Sequence, residues 1–372
     1  MEDEIKQVDW SKWDSKEDCF AKYRHVSSEL IYGQLPEKKP DISIMIPTYR
    51  RADLLKEAIE SALNQKTQFS YTISVIDNDS DIDLDTDKLM QEYCAEHQNI
   101  LYYRNAQNIG MFGNLNRCIE LSQTEWLCLL HDDDMLMENY IETLFPVAKN
   151  SGYGVVGSYK KIFDQRGDIN LRLSETGRSN FLQFLIKIFI WAKHGKPIPM
   201  RFVDMVHTII FSSTTNLLNK EVLVAAGGYD DAFFPATDSF CYAKINKLLD
   251  ARIAFVPLQL YHYRISRNES LGEETRWKAI YMESALVKLI SKEVGLSEMK
   301  CKKHFEESVI IEYNIFVDTN KILSIEDVIR CFNLPDKYYN KLLQNWIMLK
   351  FNLRWGLLLF RKPSAQRRSN RH

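Results

Sequence analysis

The chain has 372 residues and a mass of 43.6 kDa, longer than an average domain, so one large domain or two is expected. Apolar residues at 45 % and charged residues at 26 % are ordinary globular usage, which excludes a disordered, collagen-like or low-complexity chain. The formal charge of -2 is unevenly spread: 337–372 holds nine Lys/Arg and no Asp/Glu, against 39 basic and 50 acidic residues elsewhere, a balance that argues against nucleic-acid binding and for a tail that meets an anionic surface.

Residues 1–40 are polar with scattered aromatics and end in LPEKKP, which reads as a helical preface and a linker. From 41 the pattern changes. The run Ile42–Ile46, apolar but for Ser43 and closed by Pro47, suits a strand buried on both faces, as in a parallel sheet. Leu54, Leu55, Ala58, Ile59, Ala62 and Leu63 follow at helical spacing. Further strands are expected at 71–76, 100–103 and 126–130, with helices over about 86–97 and 114–121. This alternation predicts a doubly wound, mostly parallel α/β sheet with helices on both faces. Beyond it come a helix near 138–149, a strand at 155–159, a polar loop at 164–180 and a very apolar run at 181–192. A strand at 213–218, short helix at 220–226, turn GGYDD, helix at 238–249 and strand at 253–256 complete the body. After about 270 only helices are expected, over 274–295, 300–318, 325–332 and 336–360. The division is thus a preface (1–40), an α/β domain (41–270), a helical C-terminal region (271–360) and a basic tail (361–372).

The seven cysteines are scattered and form no C-x-x-C, so neither a disulfide framework nor a zinc site is indicated. Residues 1–20 lack a signal-peptide pattern and no run of 18 apolar residues occurs. The expectation is a cytoplasmic protein, or one peripheral on the inner face of the cell membrane. Residues 346–360, rich in Trp, Leu and Phe, together with the five Lys/Arg of 361–372, suit an interfacial helix with a polybasic anchor.

Ligands of open α/β sheets bind beyond the carboxyl ends of the strands. Three polar clusters stand there: Pro47-Thr48-Tyr49-Arg50, Asp77-Asn78-Asp79-Ser80 and His131-Asp132-Asp133-Asp134. The last is the sharpest, because three consecutive carboxylates after a buried strand repel one another unless a cation joins them. Mg²⁺ typically takes one or two carboxylates and completes its shell with substrate phosphates. YHYRISRNES (261–270) adds His262, Arg264 and Arg267 at the same edge, and arginine suits phosphate oxygens through its planar fork. Asp238 opens a helix and reads equally as a helix cap.

Five segments in order carry a resemblance to the family 2 inverting glycosyltransferases of the GT-A fold: ISIMIPTYRR, VIDNDS, NIGMFGNLN, LLHDDDML and AAGGYDDAFFPATDSF, over roughly residues 41–265. The resemblance implies that Pro47, Thr48 and Arg50 line a nucleotide pocket, and that Asp77 faces the base or ribose with Asp79 close by. Asn108, Gly110 and Asn116 fit the spacing N-x-G-x5-N of a nucleotide-sugar site. Asp132, Asp133 and Asp134 would supply the ligands of a Mn²⁺ or Mg²⁺ that bridges the diphosphate, with Asp132 and Asp133 also next to the donor. Arg264 and Arg267 would close over that diphosphate, and Asp238 would be the general base. The family's first Asp of L-D-x-D-D is His131 here, and the first acid of its E-D pair is Thr237. The implied partners are a nucleotide diphosphate sugar, UDP first with GDP and dTDP as alternatives, and a glycan or lipid-linked acceptor. A non-catalytic sugar-nucleotide or glycan-binding protein on this fold is the rival reading. A nucleotidyltransferase is a weaker one, since PTYRRADLL lacks a glycine-rich basic loop.

Overall fold

The computed structural model describes residues 8–81, 83–164, 191, 195–206, 215–249, 252–265, 272–316 and 324–343. The apolar run 181–192, apart from Trp191, lies outside the described residues, as do Arg267 and the segment 344–372.

The apolar runs become the centre of one sheet. Its strands are β1 (Ser28–Tyr32), β2 (Ile42–Thr48), β3 (Tyr71–Asp77), β4 (Ile100–Asn105), β5 (Trp126–Leu129), β6 (Met135–Leu136), β7 (Tyr153–Asp164), β8 (Ile198–Met200), β9 (Leu217–Asn219) and β10 (Arg252–Ile265). Their order is β1-β4-β3-β2-β5-β9-β7-β10-β6, with β8 on β10. The centre β4-β3-β2-β5 is parallel, as the alternation with helices requires. β7 and β10 are also parallel, while β9 runs antiparallel between β5 and β7. β1, β6 and β8 add antiparallel pairings.

The helices are α1 (Ala52–Leu63), α2 (Leu84–Glu96), α3 (Gly110–Leu121), α4 (Tyr140–Ser151), α5 (Lys220–Ala225), α6 (Thr237–Leu248), α7 (Glu273–Glu293), α8 (Glu298–Phe316) and α9 (Ile325–Cys331). Successive β2 residues face opposite ways, so Ile42, Ile44 and Ile46 enter one core and Met45 the other. The first core takes Leu55, Ala58, Ile59 and Ala62 of α1, spaced at one helix face, and the second takes Leu115, Cys118 and Ile119 of α3. Each large apolar side chain buried this way contributes about 1.5–3 kcal/mol. α7 to α9 enclose a third cluster around Ile280, Val309, Tyr313 and Val328.

Residues 28–32, read from sequence as part of a preface and linker, instead form the edge strand β1, antiparallel to β4. Trp13, Phe20 and Val26 before it are buried. Trp10 lies beside Phe233, Phe240 and Tyr281, so the N-terminal segment braces both α6 and α7. β7 and β10 run several residues beyond the expected strands, and β10 carries the chain to Ile265 before α7 begins at Glu273. All seven cysteines are free thiols.

Candidate active site

The register of β2 on β3 sets Thr48 beside Asp77, so two of the expected polar clusters end at one level. β2 stops pairing with β5 at Met45 and Leu129, short of Pro47, which has no N–H to offer a ladder. The chain then turns through His131 into the aspartates. Thr48 Oγ1 donates to Asp132 Oδ2 at 2.9 Å. Arg51, at the N-cap of α1, puts its guanidinium 3.5 Å from both Asp132 and Asp133. Arg51 was not singled out from the sequence, because a second arginine after a motif carries no signal until the fold brings β5 beside β2.

Asp132, Asp133 and Asp134 are all buried. Burial, then the charge of Asp133, pushes the Asp132 carboxyl up to about 6. The same two causes, in the same order, raise Asp134 well above the usual carboxylate range. Asp134 Oδ1 accepts from the Arg264 backbone N–H at 3.0 Å, while its Oδ2 is buried with no hydrogen-bond partner among the described residues. Burial also lowers the His131 imidazole.

Arg264 was expected over the diphosphate. Its side chain is fully buried and donates to the Asp133 carbonyl at 2.8 Å and to Glu57 of α1 at 2.6 Å. It locks the aspartate loop between β10 and α1.

Asp77 is fully buried and accepts from the Tyr102 hydroxyl at 2.6 Å and from the Asp79 N–H at 3.0 Å. Burial raises its carboxyl. Asp79 is held by the Arg50 guanidinium, which keeps it below the usual range. Arg50 takes a positive φ of 53° and lies over the Tyr49 ring, so the end of β2 projects an aromatic and a cation to solvent.

Asn108, Gly110 and Asn116 fall into two structural roles. Asn78 Nδ2 donates to Asn108 Oδ1 at 3.0 Å and to the Gly110 carbonyl at 3.2 Å, and Asn78 Oδ1 accepts from Ile109 N and Asn105 Nδ2. This asparagine web pins the start of α3 to the end of β3. Asn116 instead reaches the turn before α6. It donates to the Tyr229 carbonyl at 2.9 Å and accepts from the Tyr229 N–H at 2.8 Å. Gly228 in that turn has φ 80°, and a Cβ there would stand 2.7 Å from Asn116 Oδ1.

Asp238 sits in the first turn of α6, whose N-cap is Ala236, so it does not cap the helix. It is partly exposed; burial first, with the Asp238 charge as a lesser cause, raises the Tyr229, Tyr242 and Glu283 side chains. Lys160 of β7 exerts a charge effect on both Asp134 and Glu312 of α8, and the charges of Glu312 and Asp238 both act on Glu283 of α7.

Among the described residues, no three His, Cys, Asp or Glu side chains are arranged to hold a metal ion. Carboxylates such as those of Asp132 to Asp134 are the donor type that a divalent ion takes alongside phosphate oxygens. The unpartnered Oδ2 of Asp134 and the mutual repulsion of the three acids are the features a cation would relieve.

A family model described as Glycosyl transferase family 2 matches residues 43–223. Over those residues the chain is similar to glycosyl transferase family 2. The matched segment runs from Ser43 in β2 to Leu223 in α5 and takes in the aspartate loop, and Asp238 follows it in sequence. The chain is 32% identical over 157 residues to the Campylobacter jejuni GalNAc(5)-diNAcBac-PP-undecaprenol beta-1,3-glucosyltransferase, which covers 41% of this chain and 48% of that protein. The chain thus spans about half the length of that relative. Two solved structures share the fold at low identity. Staphylococcus aureus TarS 1-349 in complex with UDP-GlcNAc has a TM-score of 0.52 at 15% identity, over 85% of this chain and 92% of that one. Mannosyltransferase PcManGT from Pyrobaculum calidifontis, in complex with GDP-Man and Mn²⁺, has a TM-score of 0.52 at 13% identity, over 91% and 93%. The likeness shows the GT-A architecture expected from sequence, with helices on both faces of the sheet.

Proposed function

We propose that the chain transfers one sugar from a nucleoside diphosphate sugar to a hydroxyl of a lipid-linked or polymeric glycan, with inversion at the anomeric carbon. The observation that carries the reading is the buried carboxylate trio at the carboxyl end of β5 within the segment similar to family 2. The name of the Campylobacter relative supports a lipid-linked acceptor, and the nucleotides bound to the two solved neighbours support the donor class.

The donor nucleotide would lie along the ends of β2, β3 and β5, against Pro47, Thr48, Arg50, Asp77 and Asp79. Asp132 and Asp134 would hold a Mn²⁺ or Mg²⁺, which supplies charge stabilisation for the departing diphosphate. Arg51 and Thr48 keep Asp132 oriented, and Arg264 keeps Asp133 and Asp134 in place. Asp238 accepts the proton of the attacking hydroxyl at its carboxylate. The new C–O bond forms on the sugar face opposite the C–O bond that breaks to the diphosphate. The sheet edge binds the donor and α6 presents the base, so the acceptor enters between them.

Among the described residues no helix is long and apolar enough to cross a membrane. Contact with the inner face of the cell membrane through 346–372 is the proposed route to a lipid-linked acceptor. The test is sugar transfer from a panel of UDP-, GDP- and dTDP-sugars with a lipid-linked glycan acceptor, in wild type and Asp238→Asn. Turnover of one donor, lost in the variant with donor binding retained, supports the reading. Donor binding without turnover in wild type favours the binding-protein alternative.

A further inference from the structure

Position 237, where the resemblance expects an acid beside the base, holds Thr237, and its Oγ1 is buried with no hydrogen-bond partner among the described residues. A carboxylate reaches the same turn from elsewhere. Glu283, midway along α7 in the C-terminal helical region, accepts a hydrogen bond from Ser239 Oγ at 2.7 Å through Oε1. Its Oε2 is buried and has no hydrogen-bond partner among the described residues. Asp238 on α6 and Glu312 on α8 are its charged neighbours. Glu312 is buried and feels the charge of Lys160 of β7.

We propose that Glu283 is a positioning residue for Asp238: it anchors the first turn of α6 through Ser239 and so fixes the direction of the Asp238 carboxylate. The C-terminal helices then complete the active site rather than merely follow it. This rests on the glycosyl-transfer reading above, in which Asp238 is the base. The physical case is geometric. Asp238 and Ser239 are adjacent on one helical turn, and the N-cap Ala236 makes no side-chain cap hydrogen bond to steady it. A buried acceptor on a 21-residue helix supplies that constraint from outside. Trp10 packs against both Phe240 of α6 and Tyr281 of α7, which holds the two helices in register at this contact.

The test compares Glu283→Ala, Glu283→Gln and Ser239→Ala in the full chain. Glutamine keeps an oxygen able to accept from Ser239, and alanine does not. Misplacing a reacting group by about 1 Å costs on the order of 100-fold, so Glu283→Ala is expected to lower kcat by about 10- to 100-fold. Donor Kd should stay within about twofold, because the donor lies on the sheet edge, and Glu283→Gln should recover most of the loss. Ser239→Ala should lower kcat in the same direction, and the Glu283→Ala/Ser239→Ala double variant should be no worse than the poorer single one. A kcat for Glu283→Ala within twofold of wild type, a parallel loss of donor affinity, or a glutamine variant as poor as alanine would overturn the proposal. Amide hydrogen exchange over 237–245 gives a readout independent of turnover. It should quicken in Glu283→Ala and Ser239→Ala and stay at the wild-type rate in Glu283→Gln. If wild type turns over no donor, the glycosyl-transfer reading fails, and unchanged exchange in both alanine variants would separately refute the anchoring by Glu283.

Discussion

Asn116→Ala probes how the base-bearing helix is held. Asn116 is buried on α3, and its amide makes a two-way pair with the Tyr229 backbone, 2.9 Å to the carbonyl and 2.8 Å from the N–H. Tyr229 is 1% exposed, so water has little access to either group. Alanine leaves a buried N–H and a buried C=O without partners, and each orphaned group costs about 1–3 kcal/mol. The sum is about 2–6 kcal/mol, a large share of the about 5–15 kcal/mol by which a folded domain is stable. Gly228 is already crowded against Asn116 Oδ1 and Phe20, so the turn has little freedom to find new partners. Asn116→Asp separates the two halves of the pair. A carboxylate still accepts from the Tyr229 N–H but turns an acceptor toward its carbonyl, so it too should destabilise. Urea unfolding followed by far-UV circular dichroism and tryptophan fluorescence measures the effect. A destabilisation of Asn116→Ala below about 0.5 kcal/mol, in the range of an ordinary surface substitution, would refute the reasoning.

Three further outcomes are expected. Asp238→Asn should lower transfer by about 1,000-fold, within the usual span for a lost general base, while donor affinity measured by calorimetry is unchanged; equal loss of both would remove Asp238 from the proton transfer. Gly227→Ala should destabilise the fold by more than about 1 kcal/mol, because Gly227 has φ 87° and a Cβ there would run into the Glu17 carbonyl of the N-terminal segment; an unchanged thermal midpoint would contradict the packing of that segment. The Glu312 carboxyl is pushed up to about 7 by burial, so the folded protein binds its proton more tightly than the unfolded chain. The stability this gives is present below the unfolded pKa of about 4.3 and is lost as pH rises through about 7. Glu312→Gln should therefore gain thermal stability over wild type between pH 5 and pH 8, and a pH-independent difference would reject the burial of that charge.

The parts of the fold that the sequence made legible are those where chemistry is local. Ile42–Ile46 and Trp126–Leu130 announce buried strands by runs in which apolar residues predominate, and the aspartates after His131 stand out because three carboxylates in a row follow such a run. β1, β6 and β8 were not legible. SELIY mixes polar and apolar residues at a sheet edge, and β6 and β8 are two and three residues long, their pairing decided by β10, far along the chain. The same limit applies to the site. Arg51, Glu57 and Glu283 carry no motif, and each acts through a partner 44 to 207 residues away that only the tertiary fold supplies. Arg264 shows the converse. Its place after a strand at the site edge was readable, but its burial and its bonds to the Asp133 carbonyl and Glu57 depend on how β10 crosses behind the aspartate loop.

The most direct test of the account is nucleoside diphosphate release from UDP-, GDP- and dTDP-sugars with a lipid-linked glycan acceptor and Mn²⁺, wild type beside Asp238→Asn. The account predicts acceptor-dependent release from one donor class by wild type and at least about 100-fold less by the variant, matching the floor for a lost base. Equal release by the two proteins, or no binding of any of the donors to wild type, would contradict it.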